Sequence, residues 1–312
     1  MYPIKFNNLY YSKIWGGRDF EKFRDNLPRG NIGESWDVAC HEHGMSIVEN
    51  GILKGKTLKE LIDTYGYELL GTKVKLDKFP LLVKLINSQE KLSVQVHPND
   101  EYAIKNENQS GKTEFWYILN AKPNAKIIVG TRNCSKDEFT KAIKENNIEK
   151  YLNIINVKKD DAYLISSGMI HAIGAGIVLI EIQENSDITY RVYDYGRPRE
   201  IHVEKSLEVI DFSLQPKNLS STKEEYKTGY RICKLCSSEY FEIVKILIKN
   251  EYAGKSEKER FHIISCIEGK GVICAGNMQE DINYGDSIFI PATLGDYRIT
   301  GDMTILKSYA VI

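Results

Sequence analysis

The 312-residue sequence predicts a mainly β protein made of two copies of one barrel or jelly-roll architecture, with small helical insertions. Three observations carry this expectation. Short runs that alternate apolar and polar residues, the period of a half-buried strand, recur between turn residues along most of the chain. Helix-start signals are few. The chain also repeats itself: Asp161 to His171 aligns with Asp286 to Asp296 at an offset of 125 residues. Upstream, Tyr117 to Ala121 aligns loosely with Ser265 to Gly269 at an offset of 148, and the 23-residue difference falls where a helix is inserted. The two partial matches form one coherent repeat.

In chain order, the first fifty residues are rich in Gly and aromatics and read as short strands and turns, around Trp15-Gly16-Gly17 and Gly33-Glu34-Ser35-Trp36-Asp37-Val38. His41-Glu42-His43 has strand spacing and could be a ligand pair, but Gly44 follows at once and no carboxylate partner is fixed, so it reads as an exposed turn. Thr57-Leu58-Lys59-Glu60 is a capping box. It opens a helix with Leu58, Leu61, Ile62, Tyr65 and Leu69 on one face and Gly71 to stop it. A second capping box, Ser135 to Glu138, starts a helix that turns Phe139, Ala142 and Ile143 inward. Strands are expected over residues 79–86, 92–97, 113–119, 125–130, 162–165 and 177–183. His202 should lie at the start of a short amphipathic helix. A polar, Pro-containing stretch marks a boundary: residues 1–213 form a first unit, 214–227 a linker and 228–312 a smaller second unit.

The 42 basic residues nearly cancel the 43 acidic ones, and no Lys/Arg-rich run occurs. That balance argues against nucleic acid or an anionic membrane as the main partner. The N-terminus lacks the apolar run of a signal peptide, no segment is long enough to span a bilayer, and the six cysteines are scattered. A cytoplasmic protein with reduced thiols is expected. Cys233 and Cys236 form a lone Cys-x-x-Cys beside Ile232 and Leu235, which reads as packing.

The chemistry centres on Lys91 to Asp100. Leu92, Val94 and Val96 alternate with Ser93, Gln95 and His97, so Gln95 and His97 share one strand face. That face is turned to water or to a metal. Glu114 opens the next strand, and His171 ends the repeated segment where the second copy carries Asp296. Two imidazoles, one carboxylate and one amide suit Zn²⁺, with Mn²⁺, Fe²⁺ and Co²⁺ left open. His262 aligns with Glu114 in the second copy, but that copy has no Gln-x-His strand. His262 therefore reads as a core histidine and the second copy as scaffold.

Further segments frame this set. They are Ile14-Trp15-Gly16-Gly17-Arg18, Gly33 to Val38, Leu82 to Ile86 leading into Leu92 to Pro98, Lys112-Thr113-Glu114, Gly168 to His171, and Thr189 to Gly196. In this order the pattern resembles the type I mannose-6-phosphate isomerases, a zinc-dependent cupin family, over roughly the first two-thirds of the chain. The remainder resembles the smaller second cupin of the short bacterial form. The resemblance implies two cupin domains, with one zinc held by Gln95, His97, Glu114 and His171. It implies a catalytic role for Arg191 and a substrate pocket lined by Lys84, Ser93, Lys112 and Glu181. Lys112 and Glu181 join Arg191 as catalytic candidates, with Lys84 and a metal-bound water as further proton carriers. One departure stands out: relatives carry His before Lys-Pro-Glu, whereas this chain has Gly111-Lys112-Thr113-Glu114.

The implied activity is interconversion of mannose 6-phosphate and fructose 6-phosphate through an enediol. The substrate is dianionic, and cationic Lys84, Lys112 and Arg191 suit it in a near-neutral protein. Read singly, each residue has a plainer alternative. Arg191 could pair with Asp187 or Asp194 at the surface, Lys84 and Lys112 could be solvated strand ends, and Glu181 could face outward. Rival functions are an isomerase or epimerase for another phosphorylated sugar and a sugar-phosphate binder without turnover.

Overall fold

Alternating residues become two packed antiparallel sheets in the first part of the chain. The structure, a computed structural model, describes residues 1–220 and 223–311. Residues 221 and 222, within the expected linker, and Ile312 lie outside the described residues. The larger sheet runs in the order Ala162–Ile165, Glu114–Ala121, Ile177–Glu184, Leu81–Ser88, Ile32–Val38, Leu9–Gly17. The smaller runs Leu152–Asn156, Lys126–Thr131, His171–Ile173, Val94–Val96, Tyr190–Tyr193. Between them Ile86, Trp116, Ile118 and Leu179 pack on Ile127, Val129 and Ile173.

The central strands Leu81–Ser88 and Ile177–Glu184 are buried along their whole length. The reason is that the larger sheet is covered on its other face as well. There Val83, Leu85, Phe115, Tyr117 and Ile180 meet Leu58, Leu61 and Ile62 of the first helix, together with Phe241, Phe261 and Phe289 of the C-terminal part. Phe79, Phe261 and Phe289 stack across this junction with centroids 5.1 and 4.9 Å apart. The smaller sheet buries its outer face against the Ser135-capped helix through Phe139 and Ala142.

Both capping boxes form as expected. The first helix is shorter than expected. It ends at Tyr65 because Gly66 takes a left-handed φ of 47°, and a separate turn, Tyr67–Leu70, runs on to Gly71. The strand expected at 92–97 is reduced to Val94–Val96. His202 caps the short helix Val203–Val209.

The C-terminal part is a second β structure whose strands form a single sheet, centred on His262–Ala275 and Asp296–Ala310. The sequence repeat reappears as strand register. Ala162 pairs with Tyr117 and Ile165 with Glu114 in the first copy, while Ser287 pairs with Ser265 and Ile290 with His262 in the second. Two elements cross the expected boundaries. Glu225–Lys227, inside the expected linker, pairs with Tyr230–Ser237. At the other end, Ile4–Lys5 pairs with Ser287–Ile290, because Ile4 and Phe6 are apolar and bury against this sheet, Phe6 beside Phe289. No helix among the described residues is long and apolar enough to cross a membrane.

Candidate active site

Register places the functional side chains in two rows. In the smaller sheet Gln95 is the cross-strand partner of both His171 and Arg191. In the larger sheet Trp116, Glu181, Lys84 and Trp36 are successive partners across four strands. Cross-strand partners project to the same face, and Glu114, two residues before Trp116, shares that face. His97 follows directly after its strand.

His97, Glu114 and His171 converge. Glu114 Oε2 lies 3.6 Å from His97 Nε2, and Oε1 lies 3.4 Å from His171 Nε2. All three side chains are almost wholly buried. Their neighbours fix which atoms face inward: His97 Nδ1 is 2.7 Å from the Ile188 carbonyl and His171 Nδ1 is 2.8 Å from the Met169 carbonyl. A carbonyl only accepts, so each Nδ1 carries the proton and each Nε2 presents its lone pair. Burial, with Lys112 and His171 nearby, holds His97 well below the usual histidine range, and burial takes His171 down to about 4. Both are neutral at physiological pH.

His97 Nε2 and both Glu114 oxygens are buried without a hydrogen-bond partner. Lys112 Nζ sits 3.0 Å from Glu114 Oε2, as an ion pair outside hydrogen-bond geometry. Orphaned lone pairs of this kind are costly unless something binds them. Two inward-facing imidazole nitrogens and a carboxylate within 4.8 Å of one another fit a divalent cation. The Gln95 amide, 3.2 Å from His171 Nε2, stands beside this centre.

Gln95 and Lys112, which touch this cluster, also line a cavity of about 250 Å³ together with Lys84, Ser93, Glu181 and Arg191 among others. Lys84 and Lys112 are buried rather than solvated, and Glu181 faces inward. Glu181 Oε1 is 3.1 Å from Lys84 Nζ, and Oε2 accepts the Trp116 indole N–H at 2.9 Å. Burial would raise the Glu181 carboxyl, but Lys84 and Lys112 outweigh it and hold it well below the usual range. Burial likewise works against the Lys112 ammonium, yet Glu114 and Glu181 keep its pKa above the ordinary lysine value. Lys112 is therefore charged.

Arg191 forms neither of the carboxylate pairs considered for it. Its Nε donates to Ser93 Oγ at 3.3 Å and another N–H to the Glu200 carbonyl at 2.7 Å. Asp194 is instead held by Arg199, through two contacts of 2.7 Å, and by Arg197. Asp187 is bound by His43, whose Nδ1 is 2.6 Å from Oδ2, with His41 Nε2 3.8 Å from Oδ1. His41 and His43 do flank a turn, but their carboxylate partner lies 144 residues away from His43, beyond the reach of local pattern. Trp15, Glu34, Asp187 and Arg199 also line the cavity, beyond the site residues the sequence predicts. For Trp116 a signal existed: it shares a strand face with Glu114.

Among the described residues, the C-terminal part contributes to no cluster able to hold a cation. His262 is 1% exposed, and Asp296, in place of His171, is exposed. Burial, then Lys307 and Arg260, lower His262 from 6.5 to about 3. This has a consequence for stability against pH. The unfolded chain protonates this group below about pH 6.5, but the folded one only near pH 3, so stability present above 6.5 is lost between those limits. The upper bound is ~1.4 kcal/mol per pH unit. The Tm of His262→Leu should gain on the wild type as pH falls from 6.5 toward 4. Parallel Tm–pH curves would show that His262 is not held neutral.

Cys233 and Cys236 are buried in the apolar cluster at the junction of the two parts, which fits the packing role expected of them.

Comparison with known proteins agrees with this geometry. The family model for the catalytic domain of type I phosphomannose isomerase matches residues 4–131, and that for the mannose-6-phosphate isomerase cupin domain matches residues 231–310. The chain is 38% identical over 314 residues, 98% of each protein, to mannose-6-phosphate isomerase ManA of Bacillus subtilis (strain 168). It is 35% identical over 315 residues to mannose-6-phosphate isomerase of Streptococcus mutans, covering 99% of this chain and 98% of that one. The crystal structure of the mannose 6-phosphate isomerase from Bacillus subtilis superposes with a TM-score of 0.92 at 37% identity, over 99% of both chains. The Salmonella typhimurium enzyme shares the fold, with a TM-score of 0.79 at 16% identity over 99% of each chain. On identity across nearly its whole length, the chain belongs to the type I mannose-6-phosphate isomerases, a mainly β, two-cupin family.

Proposed function

We propose that this protein interconverts D-mannose 6-phosphate and D-fructose 6-phosphate through a cis-enediol, using one Zn²⁺ per chain. The observation that carries the reading is the buried His97–Glu114–His171 cluster, with His97 Nε2 and the Glu114 oxygens lacking hydrogen-bond partners, beside a cavity lined by Lys84, Lys112 and Arg191. Gln95 is the fourth proposed ligand: its amide reaches His171 Nε2, and turning the amide would present its oxygen instead. Two imidazoles, a carboxylate and an amide favour zinc over harder cations. When bound, the ion supplies a Lewis acid for the oxygens that become negative as the enediol forms.

The protein's own groups have distinct parts. Arg191, uncompensated by a carboxylate, stabilises the enediolate charge from the other side of Gln95. Lys112, held as an ammonium, stabilises that charge and can donate a proton. Glu181 can accept one, and its basicity rises when Lys84 turns from it toward an anionic substrate. Lys84 and Ser93 complete the substrate pocket, Ser93 by holding Arg191. We place this chemistry in the unit 1–213 and treat 228–312 as scaffold, joined by the linker at 214–227. The scattered cysteines suit a reducing compartment, and we place the enzyme in the cytoplasm, without nucleic-acid or membrane partners.

The test is a coupled assay on metal-replete protein supplied with mannose 6-phosphate. Formation of fructose 6-phosphate is expected. Tight binding of the sugar phosphate without turnover would make the protein a binder, and turnover of another phosphorylated sugar alone would move it to a different isomerase.

A further inference from the structure

Lys112 and Glu114 flank Thr113, and their placement depends on how the Thr113 backbone is held. The Thr113 N–H donates to Glu184 Oε2 at 2.7 Å, and the Glu184 N–H donates to the Thr113 carbonyl at 3.1 Å. One residue thus takes both backbone groups. Regular pairing starts only at Glu114, opposite Gln183 and Ile165, so a side chain replaces the ladder one residue earlier. Further upstream, the Lys112 N–H donates to the Pro98 carbonyl at 3.0 Å and the Gly111 N–H to Asp100 Oδ1 at 2.8 Å.

Glu184 is 6% exposed and Thr113 is 4% exposed. Among the described residues no ion pair reaches the Glu184 carboxylate, and burial with Asp100 pushes its pKa up to about 8. A buried carboxyl without a counter-ion is a poor choice for packing alone, since even as the neutral acid its oxygens need hydrogen-bond partners. Glu184 borders a cavity of about 360 Å³ between the two cupins, lined also by Lys78, Pro80, Asp100, Asn185 and Tyr240, and Lys78 only partly offsets the burial of the carboxyl. What fixes the side chain is its bond to Thr113.

We propose that Glu184 is a positioning residue for the isomerase site: its side-chain oxygen accepts from the Thr113 amide and thereby sets Lys112 and Glu114 together. The inference rests on the reading that those two residues work in catalysis and metal binding. Glu184→Gln keeps an oxygen acceptor of the same reach, whereas Glu184→Leu fills similar volume without one. For each variant kcat, KM, bound metal and Tm are measured. Glu184→Leu should lose about tenfold or more in kcat per folded enzyme, because small misplacements weigh most on the transition state, with KM changed less than about threefold. Glu184→Gln should stay within about twofold of wild type. A Glu184→Leu protein with wild-type kcat would overturn the proposal, as would Glu184→Gln falling equally far. If Glu184→Leu does not fold, Glu184→Asp, one methylene shorter, decides: lowered kcat supports the clamp and unchanged kcat overturns it. Amide exchange at Thr113 separates this proposal from the functional reading. Exchange should be faster in Glu184→Leu than in Glu184→Gln even if the wild type turned over no sugar phosphate, and equal rates would remove the clamp.

Discussion

Replacing Arg191 by alanine should lower kcat for mannose 6-phosphate about a hundredfold, or ~3 kcal/mol, the loss typical of a charged donor used mainly in the transition state. The guanidinium is held by Ser93 Oγ and the Glu200 carbonyl, neither of which neutralises it. The backbone around it does not depend on that side chain. Arg191 N–H donates to His202 Nδ1 at 3.2 Å, and the His202 N–H donates to the Arg191 carbonyl at 2.7 Å. Folding and metal content should therefore survive. If Arg191 instead gripped substrate equally in ground and transition states, KM would rise while kcat stayed near normal. Arg191→Lys should rescue little, because an ammonium cannot reproduce the planar fork that spans Ser93 and Glu200. Steady-state kinetics, with metal measured on the same preparation, separates these outcomes. A variant that keeps most of its kcat would remove Arg191 from catalysis.

His171→Ala should cost more, on the order of a thousandfold in turnover, because it removes a lone pair aimed at the centre and with it the bound Lewis acid. The loss should appear first in elemental analysis, as about one zinc per chain in the wild type and little in the variant. His97→Ala should behave alike. Glu114→Gln should also bind metal more weakly, since it removes the carboxylate charge from the cluster while leaving Lys112 beside it. Zinc surviving His171→Ala in full would contradict a single centre per chain, and would point first to His41, His43 and Asp187, whose ligand atoms also lie within 4.8 Å of one another.

Much of this site was legible in the sequence because strands convert period into position. Gln95 and His97 alternate with buried valines, so their shared direction followed from spacing alone. The second capping box announced its helix, and the repeat anticipated strand register in both copies, down to His262 opposite Ile290 where Glu114 stands opposite Ile165. What stayed hidden depends on distant pairing. Nothing near His43 points to Asp187, and nothing near Thr113 names Glu184 as its partner; Arg197 and Arg199, by contrast, stand three and five residues after Asp194 and were a local sign that it was taken. The pairing of the N-terminal strand is hidden for the same reason: Ile4 and Lys5 find their partners almost three hundred residues later. Gly66 was passed over because the apolar face runs on to Leu69, although a glycine there permits the left-handed turn that splits the helix.

The most direct test of the central claim is a metal titration of protein stripped by a chelator, with turnover and bound zinc followed together. If one buried centre in the first cupin drives the isomerisation, fructose 6-phosphate formation should rise in proportion to bound zinc and level off at about one equivalent per chain. Turnover that persists in the stripped protein, or that keeps rising through a second equivalent, would contradict it.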